Sequence, residues 1–249
     1  MKKNMKEIYE DLIRLGLLKL RNGKLVLKRS GAARTKMVKE DPRYAGFRNS
    51  SAEFKYVAQS GKLLREALKP ILFPLPDTHQ RIHSLLQRIL KEDYSNKKGC
   101  RSIMDGEVGL LKGFSFNEHA SLELLLRSKF LSVIHPRKGK AVLFLPFLDP
   151  ESDFRWPPNA EAVEIDSMLV SINFDTEVVE TSRATSVKIV RNQKAIPPFQ
   201  LITEVKEMDI SIMLHVVAVR FYYRSGGEYI QSNNREFNPV MIYNVERAE

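Results

Sequence analysis

The chain has 249 residues, 43% hydrophobic and 28% charged, enough apolar material for a real core, which excludes a chain disordered by composition. Its formal net charge is +10, and its one cysteine, Cys100, excludes a scaffold stapled by internal disulfides. The charge is uneven: residues 1–100 hold 23 basic and 10 acidic side chains, residues 151–249 hold 10 and 15, so acidic partners are expected to meet the first half.

No stretch reaches the roughly 18 apolar residues of a membrane span, and residues 1–20 interleave charges with apolar positions, unlike a signal peptide. The expectation is a soluble cytoplasmic protein without a membrane span, with export by another route left open. In chain order, Met5, Ile8, Tyr9, Leu12 and Ile13 fall at helical spacing between a capping Asn4 and a terminating Gly16. Asn22-Gly23, a favoured two-residue hairpin turn, follows between two apolar runs. That closure pairs Arg21 with Lys24, Leu20 with Leu25, Lys19 with Val26 and Leu18 with Leu27. Four leucines then share one face, and Lys19, Arg21, Lys24 and Lys28 the other.

Residues 29–49 are rich in Arg, Lys, Gly and Ala, contain Asp41-Pro42 and read as a surface loop. Phe54, Val57, Ala58, Gly61, Leu64 and Leu68 mark a helix over 51–69, stopped by Pro70, with Gly61 permitting a close helix approach. Phe73-Pro74-Leu75-Pro76 is a stiff connector. Asp77 or Thr78 then caps a helix that buries Ile82, Leu85, Leu86, Ile89 and Leu90 and ends near Tyr94.

Beyond Leu110 the pattern changes to strands. They are expected at 122–127, 130–135, 141–147, 162–174, 199–205, 210–224, 228–232 and 237–245, with turns at 136–139, 149–159, 192–198 and Ser225-Gly226-Gly227. The fold expected is α+β: basic N-terminal helices plus a β-hairpin over residues 1–108, followed by an antiparallel immunoglobulin-like β-sandwich over 109–249. The Cys, Trp, Cys core of antibody domains is absent, since Trp156 lies in a Pro-flanked loop.

Three stretches carry a resemblance. They are Asp41-Pro42 with Arg48-Asn49-Ser50-Ser51-Ala52-Glu53-Phe54 and Gly61-Lys62-Leu63-Leu64-Arg65; Asp105-Gly106-Glu107 with Leu110-Leu111-Lys112-Gly113-Phe114-Ser115-Phe116-Asn117; and Val219-Arg220-Phe221-Tyr222 leading to Phe237-Asn238. In this order they resemble a group of Bacteroidota proteins of similar length and uncharacterised function, whose members commonly begin with a Gly-rich strand where this chain has its first helix. The resemblance implies an ordered fold and supplies no catalytic residue. Physically, Glu53 suits the positive end of the helix, and Arg48 can pair with it or cap a neighbouring carbonyl. Gly113 to Asn117 alternates large apolar with small groups and reads as a strand inserted into the core.

Candidate chemistry is sparse. His79 and His83, four apart on a helix, could present two imidazoles to a metal, but no further ligand follows at a recognised spacing. His215, inside an apolar run, reads as a hydrogen-bonded core histidine. Cys100 sits among Lys97, Lys98 and Arg101, which would favour its thiolate if exposed. Glu204-Val205-Lys206 with Asp175 has the outline of a metal-dependent nuclease, yet Glu53-Phe54-Lys55 repeats the tripeptide in a helix. Asp149, Glu151 and Asp153 lack the glycine and terminal glutamate of a calcium loop.

What remains is the basic set Lys19, Arg21, Lys24, Lys28, Arg29, Arg34, Lys36 and Lys39, able to neutralise phosphates beside Tyr44 and Phe47, with Lys62 and Arg65 sharing a helix flank. The function expected is a non-enzymatic binding or assembly module, with a protein partner or self-association, without metal or cofactor. Nucleic-acid binding by the basic half is the alternative, and a metal-dependent nuclease or other hydrolase stands third.

Overall fold

The computed structural model describes residues 9–10, 18–21, 24–27, 38–72, 78–206 and 210–248. It divides into two compact units, residues 1–52 and 53–249, so the division falls between Ala52 and Glu53 where the sequence suggests 108. The first unit contains β1 (Leu18–Arg21) and β2 (Lys24–Leu27), antiparallel in the register that the Asn22-Gly23 turn predicts. Of the expected first helix, Tyr9 and Glu10 are described, and both are helical.

Residues 42–44 form a 3-10 turn that leads directly into α1 (Ala45–Leu68), six residues before the expected start. Asp41-Pro42, read as a loop marker, is instead a helix-start signal: the Asp41 carboxylate accepts from the Arg43 backbone N–H at 2.9 Å, and Pro42 occupies a position that needs no N–H. The proline connector at 73–76 lies outside the described residues.

The second unit holds the rest of α1, then α2 (Thr78–Lys91), the short α3 (Leu122–Leu125), β3 (Leu131–His135), β4 (Lys140–Leu145), the short α4 (Pro150–Asp153), β5 (Ala162–Asn173), β6 (Val178–Arg183), β7 (Val187–Val190), β8 (Phe199–Glu204), β9 (Ser211–Ser225), β10 (Glu228–Gln231) and β11 (Val240–Ala248). All its described ladders are antiparallel. The larger sheet runs β10-β9-β5-β6, with β11 also on β9 and β7 also on β5; the smaller runs β3-β4-β8. Among the described residues no helix is long and apolar enough to cross a membrane.

Strands β5 and β9 are apolar on both faces, and each face has its own cover. Met168, Val170, Ile172, Leu214, Val216 and Ala218 pack with Val57, Leu64, Leu68, Ile82, Leu86 and Ile89 of the helices. Val163, Ile165, Val217, Val219 and Phe221, on the opposite face, pack with Leu143, Leu145 and Leu201 of the smaller sheet. The larger sheet therefore stands between two cores, the first shared with the helices and the second with the smaller sheet.

Three elements differ from expectation. Residues 122–125 are a helical turn: Leu122, Leu125 and Leu126, at i, i+3 and i+4, are buried, whereas Glu123 and Leu124 are exposed. Strands β6 and β7 escape the sequence because β6 is largely exposed and mostly polar, as an edge position allows, and β7 is only four residues long. Residues 113–116, by contrast, do what the sequence suggests: they lie along β11 through Phe116 N–H to Val240 O (2.8 Å) and Ile242 N–H to Phe114 O (3.0 Å), which places Phe116 in the core.

Two glycines meet different surroundings. A Cβ on Gly61 would sit 3.5 Å from Ile82 Cγ2, an ordinary contact; one on Gly106 would sit 2.2 Å from the Ile89 carbonyl oxygen. Gly61→Ala should therefore be neutral or stabilise by about 0.5–1 kcal/mol through helix propensity, whereas Gly106→Ala should destabilise by roughly 2 kcal/mol or more. Urea denaturation of the two variants checks the order.

Candidate functional site

The sequence-predicted cations do not form one described cluster. Lys28, Arg29, Arg34 and Lys36 lie outside the described residues; Lys19 and Arg21 belong to β1, and Lys24 to β2, where it is exposed. Lys39 is exposed, Tyr44 is half-buried and Phe47 is exposed. On α1, Lys62 is exposed and Arg65 half-buried, as a helix flank allows. Arg48 caps carbonyls, donating to Val38 O at 2.8 Å and Asp41 O at 2.9 Å. Glu53 lies in the body of α1 and accepts from Gly99 N–H at 2.8 Å.

Most of the other candidates are engaged structurally, and His79 and Cys100 are exposed. His83 packs against Phe54 with ring centroids 4.8 Å apart, and His79 is exposed. No group of three or more metal-ligating side chains occurs among the described residues. Asp175 accepts from Tyr56 Oη at 2.5 Å and from Ser102 Oγ, while Glu204 pairs with Lys140 at 2.9 Å. Asp149 and Asp153 cap α4 and its neighbours: Asp153 accepts from Asp149 N–H at 2.7 Å and from Ser128 Oγ at 2.9 Å. Cys100 is an exposed free thiol.

Two polar constellations stand inside the apolar body. Asp166, fully buried on β5, accepts from Arg183 Nε at 2.8 Å and Nη2, and from Arg220 Nη1 at 2.6 Å; Arg220 Nη2 also donates to Ile71 O at 2.8 Å. Beside it, Glu164 accepts from Ser186 Oγ (2.5 Å) and Tyr222 Oη. Burial works against the Glu164 carboxylate, but those hydroxyls and the Arg220 charge outweigh it and hold the group below the usual carboxylate range. Burial, reinforced by Glu164, pushes the Tyr222 hydroxyl well above its ordinary value.

The second constellation joins the two sheets. His215 of β9 has Ser132 Oγ of β3 at 2.6 Å from Nδ1 and Ser167 Oγ of β5 at 2.7 Å from Nε2, so one ring nitrogen donates and the other accepts. Burial lowers its pKa to about 4. A ring so occupied is a neutral inter-sheet tie, as the sequence suggests.

The exposed feature without such a partner is apolar. The β3-β4-β8 register places Leu131, Val133, Val142, Phe144 and Ile202 on the face turned away from the second core. Leu131 is 60% exposed, Phe144 and Ile202 are 41% each, and neighbouring Phe147 is 58%. A groove of about 500 Å³ runs beside them between Lys129, Pro146 and Pro198. Comparison with protein-family models, with curated proteins and with solved structures finds no match to this chain. The site is therefore read from its own chemistry. Its sequence signal is continuity: Ala141-Val142-Leu143-Phe144-Leu145 is apolar throughout instead of alternating, the pattern of a strand covered on both faces.

The buried groups generate two stability predictions. Asp166→Asn should cost roughly 3–5 kcal/mol by leaving two guanidinium groups without their carboxylate. Arg183→Met, at the exposed end of the network, should cost far less in the same urea titration. For His215, the unfolded ring titrates near 6.5 and the folded ring near 4, so its stabilisation is complete above pH 6.5 and is lost as pH falls toward 4. The span corresponds to roughly 3 kcal/mol. In His215→Gln this component of the pH dependence should vanish, which urea midpoints at neutral and acid pH will reveal.

Proposed function

We propose that the chain is a non-enzymatic binding and assembly protein whose partner surface is the outer face of the β3-β4-β8 sheet. The observation that carries this reading is the exposure of the cross-strand pair Leu131 and Phe144 on a regular sheet, with Ile202 diagonal to Phe144 on the same face, two residues from its partner Gln200. Contiguous apolar surface of this kind is costly to leave in water, and it suits a protein partner that packs on it at the ordinary sheet-to-sheet distance. A second copy is the partner to test first, because a two-fold axis sets the same apolar patch of two copies on each other.

Phe144→Glu with Ile202→Glu places two carboxylates at the centre of that face. If the reading is right, sedimentation velocity of the parent chain gives a concentration-dependent dimer, and the double variant stays a monomer with an unchanged thermal melt. A parent chain that remains monomeric to near-millimolar concentration removes self-association.

The division of charge favours nucleic-acid binding as a second reading. Residues 1–52 hold 14 basic and 5 acidic side chains, whereas residues 53–249 hold 26 and 25, so nearly all the net charge belongs to the compact unit that carries the hairpin. Binding of unspecific nucleic acid should fall steeply with salt. Replacing Lys19, Arg21, Lys24 and Lys28 by Ala should lower the salt slope by roughly one for each phosphate that is no longer neutralised. No binding at low salt would dispose of it.

The immunoglobulin-like sandwich belongs to this proposal as well. Two antiparallel sheets sharing an apolar layer support it, and the helices on the larger sheet are an addition to it. Kinship with the Bacteroidota group is likewise proposed. Its motif residues hold structural positions in this chain: Asn117 Nδ2 donates to Asn238 O at 2.9 Å, and Arg220 anchors Asp166.

A further inference from the structure

A second concavity, of about 550 Å³, opens where α3, the strand-entry segment 127–130 and β11 meet. Its floor is the margin of the core between the sheets: Leu122, Leu126 and Phe130 are buried core residues that line it, and Met241 and Tyr243 pack against that core half-buried. Tyr243 Oη donates to Phe130 O at 2.6 Å, which fixes one wall. Burial, with Glu123 adding to it, raises the Tyr243 pKa and keeps that hydroxyl a donor. Gly113, with φ +79°, forms part of another wall, and no atom lies within 4 Å of where its Cβ would be, so the mouth stays wide.

The rim is charged. Lys112, Arg127 and Lys129 are exposed around this floor, with Glu123 the opposing carboxylate. Among the described residues, none of the three cations is in an ion pair. An apolar floor with a few polar groups at the mouth is the composition of a small-molecule site, and the volume lies within the range such sites occupy. A net positive rim on an apolar floor selects a ligand with an apolar body and an anionic head.

We propose that this concavity binds a small amphipathic anion, an apolar chain or ring of roughly ten carbons ending in a carboxylate or phosphate. The body lies on Leu122, Leu126, Phe130 and Met241, where each methylene removed from water contributes up to ~0.8 kcal/mol. The head meets Lys112, Arg127 and Lys129. This site shares Lys129 with the groove beside the assembly face but uses none of that face's apolar residues, and its test reads ligand binding and not association.

The test is calorimetric titration of the full chain with decanoate, octyl phosphate and decanol, each below its micelle concentration. Binding of one or both anions at a single site is expected, with decanol at least tenfold weaker, and the two anions report which head is preferred. Lys112→Glu with Lys129→Glu, both exposed, should weaken anion binding by tenfold or more and leave decanol unchanged. Met241→Trp, which fills the floor, should weaken all the ligands that bind; unchanged circular dichroism establishes that each variant is folded. Failure of both anions to bind, or binding indifferent to the charge reversal or to the filled floor, as attraction to the basic first unit would give, overturns the proposal.

Discussion

The structure of the second unit depends on a sheet that is apolar on both faces. Strands β5 and β9 run for 12 and 15 residues and are buried almost throughout, so neither face can be left to water. The helices α1 and α2 cover one face and the small β3-β4-β8 sheet covers the other. The ionisable groups of β5 and β9 buried in this interior have partners. Asp166 is held by two arginines, and His215 is kept neutral between two serines that belong to different sheets.

A functional consequence follows from how the second cover is made. Two helices can turn polar stripes outward, and α1 and α2 do, exposing Lys62, Glu66, His79 and Gln80. The small sheet instead carries apolar residues on both sides of β4: Leu143 and Leu145 face the core, and Phe144 faces outward. Having used its inner face to cover the large sheet, it keeps apolar residues on its outer face as well, beside Gln200 and the Lys140–Glu204 ion pair. The assembly reading rests on that asymmetry, and the charge of residues 1–52 is a property of the other compact unit.

Much of the fold was legible in the chain because periodicity reports burial directly. The long strands, the Asn22-Gly23 register and the second helix of the pattern follow from apolar spacing and turn chemistry alone. Strands β6 and β7 were not legible: Glu180, Thr181 and Ser182 give β6 no apolar alternation, and the alternation of β7 covers only Val187 to Ile189. The turn at 122–125 misled because three leucines in a short run fit either period. Asp41-Pro42 was ambiguous between a turn and a helix start, and only the Arg43 N–H bond to Asp41 decides it. Of the candidate site, the cations were visible as composition, but the exposed face was hidden. An apolar run signals burial on both sides, and sequence does not reveal which side the protein itself leaves open.

Hydrogen-exchange mass spectrometry of the chain in dilute and concentrated solution tests the central claim most directly, because it locates the surface that association covers. The account predicts that concentration slows exchange in the peptides of 131–135, 140–147 and 199–204, while the buried amides of β5 and β9 do not change. Protection gained elsewhere, or exchange in those peptides that is indifferent to association, would contradict it.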